Sequence, residues 1–192
     1  MKATLFFLGL TLTLALLATG CARPPTDEMN SAVEAVTRAE NDSDVVLYAP
    51  ATLARAREAL RIMHEEAASR RFDGARAYAA EAIAAAERAI AEGRAGAQRA
   101  REEAAALIAG LPPLLAETGR GIESARDAGL DLDFAALHND FEGAAGAADS
   151  AVAAYSAGLY ADAIDSGRAA RNGLDGINRR IAGAALAVPS GK

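Results

Sequence analysis

Tryptophan is absent from the sequence, and cysteine occurs once, as Cys21. A lone cysteine excludes any disulfide within the chain. Histidine occurs twice, at His64 and His138, and neither has a second histidine or cysteine at metal-ligand spacing, so no metal centre is expected. Large apolar side chains are also few: 36 Leu, Ile, Val, Phe, Tyr and Met residues follow position 21. That supply suits one small domain or two similar lobes rather than a large enzyme. Strand-forming residues are scarce and only 6 prolines interrupt the chain. What fills the sequence is alanine, 52 residues of it, and the best helix former at that density predicts an all-α fold.

Positive charge is the next shortage. Lysine appears only as Lys2 and Lys192, and 20 basic residues face 26 acidic ones, a net charge of −6. This balance argues against nucleic acid as a partner and against electrostatic adhesion to an anionic bilayer. Catalytic signatures are missing as well: there is no glycine-rich phosphate loop and no Ser/His/Asp arrangement. The pairs Glu65-Glu66 and Glu102-Glu103 are adjacent on helices, diverge around the axis, and read as solvated faces rather than an acid–base pair. Asp127, Asp131 and Asp133 lack the glycine and closing glutamate of a calcium loop, and Asp131 or Asp133 reads as a helix cap. Neither enzymatic activity nor a cofactor is expected.

The first residues address the compartment. Met1-Lys2 gives a positive start, Ala3 to Ala18 carries no charge, and Leu17-Ala18-Thr19-Gly20-Cys21 closes the segment. A cationic start, an apolar run and small residues describe residues 1–20 as a secretory signal peptide. The rival, an uncut membrane anchor, has a run somewhat short for a span of about 20 residues. The segment resembles the lipobox of bacterial lipoproteins, with Gly20 and Cys21 in place and Ala18 where leucine is commoner. The resemblance implies lipidation at Cys21 and, from the residue Ala22 that follows, an outer-membrane lipoprotein facing the periplasm. An inner-membrane or surface position stays open. Two or three acyl chains hold a protein stably, at about 0.8 kcal/mol per buried CH₂.

Residues 21–30 contain Pro24-Pro25 and no periodicity, and read as a lipidated tether. A first helix is expected from about Ser31 to Glu40, capped by Asn30 or Ser31. A second opens at Tyr48-Ala49-Pro50 and places Leu53, Ala56, Leu60, Met63 and Ala67 on a heptad-like seam. A third places Phe72, Ala75, Ala79, Ala82, Ala86, Ala89, Gly93 and Gly96 on one stripe. Glycine costs about 1 kcal/mol against alanine inside a helix, so two glycines in phase with the stripe imply close approach of a neighbouring backbone. A break near Gly93 is the alternative; otherwise the helix is expected to end near Ala109, before Pro112-Pro113.

The pattern then returns. Val33-Glu34-Ala35 corresponds to Ile122-Glu123-Ser124, and Phe72-Asp73-Gly74-Ala75 to Tyr160-Ala161-Asp162-Ala163. The fifth helix repeats the seam as Leu137, Phe141, Ala144, Ala148, Ala151 and Tyr155, and the sixth runs from Tyr160 to Ala184. The economical reading is two similar three-helix units of long antiparallel Ala-rich helices, over 31–111 and 112–186, with a flexible tail at 187–192. Phe72, Tyr78, Phe134, Phe141, Tyr155 and Tyr160 are expected to anchor the turns, with Phe72→Ala or Tyr160→Ala costing about 3 kcal/mol.

Two further resemblances follow from particular residues. Gly158-Leu159-Tyr160-Ala161-Asp162-Ala163-Ile164 looks like the turn of a tetratricopeptide hairpin, and Arg70-Arg71-Phe72-Asp73-Gly74-Ala75 matches it more loosely, with Arg70 in the small-residue place. The stretch from Ala32 to about Gly93, with its Ala-rich first helix, its Tyr48-Ala49-Pro50 entry and its Phe72-led third helix, resembles the bacterial lipoprotein family called domain of unknown function 4398. That family implies helical hairpins in the envelope and carries no established chemistry.

These readings lead to a lipid-anchored, non-enzymatic periplasmic scaffold that binds an envelope protein. Arg70 and Arg71 are candidate contacts to carboxylates, unless the surface arginines simply pair with nearby glutamates. The structural alternative is a spacer or tether between outer membrane and peptidoglycan. The terminal Lys192 sits where the lysine of murein lipoprotein, which is linked to peptidoglycan, would sit.

Overall fold

The computed structural model describes residues 23–187; the lipobox Leu17–Gly20, Cys21 and Lys192 lie outside that range. The described residues are all-α, with helices α1 (Thr26–Glu40), α2 (Ser43–Tyr48), α3 (Pro50–Ala68), α4 (Phe72–Asp127), α5 (Phe134–Ser156) and α6 (Tyr160–Ala187). None of these is long and apolar enough to cross a membrane. The chain divides into two compact units that meet in sequence at Gly93 and Arg94, so α4 contributes residues to both.

In the first unit α1, α3 and the beginning of α4 surround one core of Val36, Leu53, Met63, Ala79, Ala82 and Ala86, all at most 3% exposed. Of the seam expected on α3, Leu53, Ala56 and Met63 are buried, Leu60 and Ala67 are half-buried, and Ala59 is buried beside them. Three local expectations change. The first helix begins at Thr26 rather than Ser31, which makes half of the expected tether helical. Pro24-Pro25 halts the helix upstream, Asp27 and Glu28 place negative charge in its first turn, and Pro25 is buried while Met29 packs on the core. Ser31, expected as a cap, instead donates its hydroxyl back to the Asp27 carbonyl at 3.0 Å. The breaker at 41–44 opens a short helix, α2: the Asp42 carboxylate accepts from Asp44 N at 2.9 Å and Val45 N at 3.3 Å, and Val45 is fully buried.

The third correction is α4 itself. It passes through Gly93 without a break, the continuity favoured from the sequence, but does not end near Ala109: it runs on through Pro112-Pro113 to Asp127. Each proline removes one N–H from the helical ladder and crowds the carbonyl four residues back. Both rings, however, lie on exposed positions, away from the packed face of the helix. On the covered face Leu111, Thr118 and Ile122 stay packed and hold the helix together.

The second unit contains residues 94–127 of α4 and the α5–α6 hairpin. Leu137, Ile177 and Ile122 form one cluster, and Ala148, Ala170 and Leu111 another. Thr118 is fully buried and its hydroxyl accepts from Asn178 Nδ2 at 3.0 Å. Asp133 caps α5, its carboxylate accepting from Ala136 N at 3.0 Å, as the sequence indicated.

The two hairpins share a register. Buried Ala56, Ala75, Ala79 and Ala82 have buried counterparts Ala144, Ala163, Gly167 and Ala170, each 88 positions later. The turns agree as well. Arg70 and Gly158, also 88 apart, both have left-handed φ, 57° and 78°. In the first turn Arg71 N reaches Glu66 O and Arg70 N reaches Ala67 O; in the second Leu159 N reaches Ala154 O and Gly158 N reaches Tyr155 O. These are the two bonds of a Schellman motif. For the first helix the expected equivalence of Val33 with Ile122 fails, since Val33 is 39% exposed and Ile122 is buried. Pairing Val36 with Ile122 and Ala39 with Ala125 matches burial on both sides. A three-residue slip keeps a helical face nearly in phase, and sequence similarity alone could not tell the two apart.

Of the six expected aromatic anchors, Tyr78, Phe134 and Phe141 pack against the core clusters. All six are half-buried and none is among the fully buried side chains, which are Met63, Leu137, Leu174, Ile177, Val36, Val45 and Thr118. Tyr155 and Tyr160 do pack together across the second turn, with ring centroids 5.4 Å apart.

Candidate functional site

The turn between α3 and α4 brings Arg70 and Arg71 side by side on exposed positions, but their side chains differ. Arg71 is engaged: Nε and Nη2 donate to the two Glu66 carboxylate oxygens, both at 2.7 Å. That bidentate pair holds the Glu66 carboxyl below the usual carboxylate range, through its hydrogen bonds first and charge second. Arg70 makes no ion pair among the described residues. Its backbone occupies the left-handed region, where a side chain costs about 1–2 kcal/mol and glycine costs nothing. The second unit puts Gly158 at this place.

Most of the neighbouring surface arginines are spent locally. Arg57 pairs with Glu40, Arg61 with Glu58 and Glu65, and Arg76 with Asp73 and Glu28. Arg61 thereby holds the Glu58 carboxyl below its usual range, the hydrogen bond being the larger cause. Arg55, like Arg70, has no ion-pair partner among the described residues. The adjacent acids do diverge, since Glu65 faces Arg61 and Glu66 faces Arg71. His138 meets only Glu142 at 3.4 Å, and no group of three His, Cys, Asp or Glu side chains suited to a metal occurs among the described residues.

A second feature lies along the middle of α4. Residues 104–116 of α4 form an uncharged run of thirteen, yet only Ala104 and Leu111 in it are buried. A helix apolar all round is normally covered all round. Here one flank of the run and the neighbouring α6 form an open groove of about 530 Å³. Leu107, Leu111 and Leu114 supply its apolar walls, Ala106, Gly110 and Pro113 its small ones, and Glu103, Glu117 and Arg171 its charges. Glu103 is paired with Arg168 at 2.5 Å, whereas Glu117 and Arg171 have no ion-pair partner among the described residues. The signal available in the sequence was the run itself, obscured because Pro112-Pro113 reads as a loop.

Residues 27–106 match the family model described as Domain of unknown function (DUF4398). The resemblance drawn from Tyr48-Ala49-Pro50 and the flanking helices thus holds over the first unit and the α4 residues just beyond it. No curated protein and no solved structure matches the chain.

Proposed function

We propose that this protein is a non-enzymatic helical scaffold, anchored to the bacterial envelope by lipid at Cys21 and binding a carboxylate-bearing partner protein through its first unit. The lipobox sequence Leu17–Cys21 supports the anchor and an outer-membrane position facing the periplasm. One observation carries the binding reading: Arg70 stands in a backbone conformation that favours glycine and leaves its guanidinium unpaired beside a fully paired Arg71. Strain at a position where glycine would relieve it points to use of the side chain. A forked, permanently charged donor on a fixed turn recognises a carboxylate.

The test separates binding from folding. Full-length tagged protein is crosslinked lightly in cells, and its covalent partners are identified by mass spectrometry for wild type, Arg70→Gly and Arg70→Glu. Arg70→Gly should raise stability by about 1 kcal/mol while losing the dominant partner. Retention of that partner by both variants refutes the role of Arg70. The anchor is read separately: Cys21→Ser should abolish fatty-acid labelling and membrane retention. Muropeptide on Lys192 without a dominant protein partner would replace the scaffold with the wall tether.

A further inference from the structure

Two contacts fix the register of α1 and α2 against α4. Arg76 Nε lies 3.7 Å from Glu28 Oε1, and a methyl added at Gly93 would lie 2.8 Å from Val45 N, so both pairs are 48 residues apart. Thr26, where α1 begins, is therefore level with Gly74, two residues past the start of α4. The turn at 69–71 and the N-terminus of α1 thus share one end of the first unit, separated by one helix spacing of about 8–10 Å. Buried Pro25, whose carbonyl accepts from Met29 N at 3.0 Å, ties the entering chain to that end. Cys21 lies four residues before Pro25, at most about 14 Å along an extended chain. Lipid at Cys21 therefore keeps Arg70 within about 25 Å of the bilayer surface, however the unit tilts.

We propose that the carboxylate met by Arg70 belongs to an integral protein of the same membrane, on a loop at the membrane surface. With lipid at Cys21 and Arg70 as the contact, both taken from the scaffold reading, the partner has to reach the turn at the level of the bilayer. A folded domain of about 100 residues, with a radius of gyration of about 13 Å, is wider than the gap beneath the turn. A loop of a protein embedded in the bilayer already lies in that gap, and confinement to one plane raises its effective concentration at Arg70. The lipid surface itself is the poorer match. At this end Arg23, Arg70, Arg71 and Arg76 are balanced by Asp27, Glu28, Glu66 and Asp73, so an anionic bilayer gains little from it. Of the four arginines, Arg71 and Arg76 are paired, while Arg23 and Arg70 make no ion pair among the described residues. A free guanidinium fork on a fixed turn suits a single carboxylate.

The experiment places a photocrosslinking amino acid at exposed Ser69, beside Arg70, in the full chain in cells. It is repeated with Arg70→Glu and with a helical spacer inserted between Arg23 and Pro24, about 20 residues and so about 30 Å long. The expected adduct is one protein that stays in the membrane through alkaline carbonate extraction. Its yield should fall at least about tenfold in Arg70→Glu, which sets like charges opposite, and equally in the spacer variant, which lifts the turn away from the membrane. Fatty-acid labelling and the far-UV circular dichroism spectrum should be unchanged in both, confirming anchor and fold. An Arg70-dependent adduct that carbonate releases, or one that survives the spacer, overturns the membrane-protein partner and leaves the scaffold reading standing. An adduct to phospholipid alone, or no adduct at all, also overturns it. A membrane-protein adduct indifferent to Arg70→Glu, or a wild-type chain without fatty-acid label, removes the scaffold reading itself and the proposal with it.

Discussion

Gly93→Ala is the most exacting test of the packing scheme, because two effects of known sign oppose each other. Alanine is favoured over glycine in a helix interior by about 1 kcal/mol. Gly93 sits in the interior of α4, so on propensity alone the substitution stabilises. A methyl group there, however, would lie 2.8 Å from Val45 N, 2.9 Å from Val45 Cα and 3.0 Å from Asp44 C. All three atoms are backbone, so no rotamer change relieves the overlap. α2 must shift, yet it is held by the Asp42 cap and by fully buried Val45. Overpacking of this kind costs about 1–3 kcal/mol, so the net effect is a loss of up to about 2 kcal/mol. Gly146→Ala is the matched control, as nothing lies within 4 Å of its added methyl and it should gain about 0.5–1 kcal/mol. Urea unfolding followed by circular dichroism reads both, each on its own transition if the units melt separately. If Gly93→Ala stabilises as much as Gly146→Ala, the close approach of α2 to α4 is wrong.

Other perturbations follow from individual side chains. Met63→Ala removes a fully buried side chain and should cost about 3 kcal/mol, whereas Phe72→Ala, half-buried at the turn, should cost clearly less in the same melt. Asp133→Ala should cost about 1 kcal/mol through loss of the α5 cap, with Asp133→Asn retaining most of the stability. The Glu66 carboxyl should titrate below an ordinary glutamate by NMR and return to the usual range in Arg71→Ala. Since its folded pKa is lowered, its contribution to stability is present above the unfolded pKa and fades as pH falls through the lowered value. A Glu66 titration indifferent to Arg71→Ala would show that the bidentate pair does not persist in solution.

What the sequence made legible was whatever repeats with helical period. The seam through Leu53, Ala56 and Met63, the stripe from Ala75 to Gly93 and the Asp133 cap are each a local pattern with one physical solution. Gly93 belongs here too: a glycine in phase with a buried stripe implied a neighbouring backbone, and that backbone is α2. The failures share a cause, tertiary packing overriding a local signal. Pro112-Pro113 is a strong breaker in isolation, but Leu111, Thr118 and Ile122 hold the helix through it. The segment 43–48 is too short to show periodicity and is fixed by Asp42 below it and Gly93 against it. For the sites, sequence singled out Arg70 and Arg71 alike, and only the Glu66 pairing separates them. Glu117 and Arg171 lie 54 positions apart and become neighbours in the groove only once α4 is continuous.

The same intrusion of α2 accounts for how the two hairpins differ. Away from the turn, the second unit packs Leu137, Phe141, Leu174 and Ile177, whereas the equivalent positions of the first hold Ala49, Leu53, Ala86 and Ala89. Near the turn the imbalance reverses, with Leu60 and Met63 in the first unit against Ala148 and Ala151 in the second. Side-chain volume is thus reduced at the end where Val45 is inserted into the same core as Ala86 and Ala89. Close packing leaves no spare space for both. Ala89→Ile, which imports the residue found at 177, should therefore destabilise the first unit by about 1–3 kcal/mol although it adds apolar surface. The reciprocal Ile177→Ala leaves a cavity with no α2 to fill it and should cost about 2–5 kcal/mol. Were Ala89→Ile neutral or stabilising in the urea melt, the space credited to α2 would be vacant and the account of the first unit would fail.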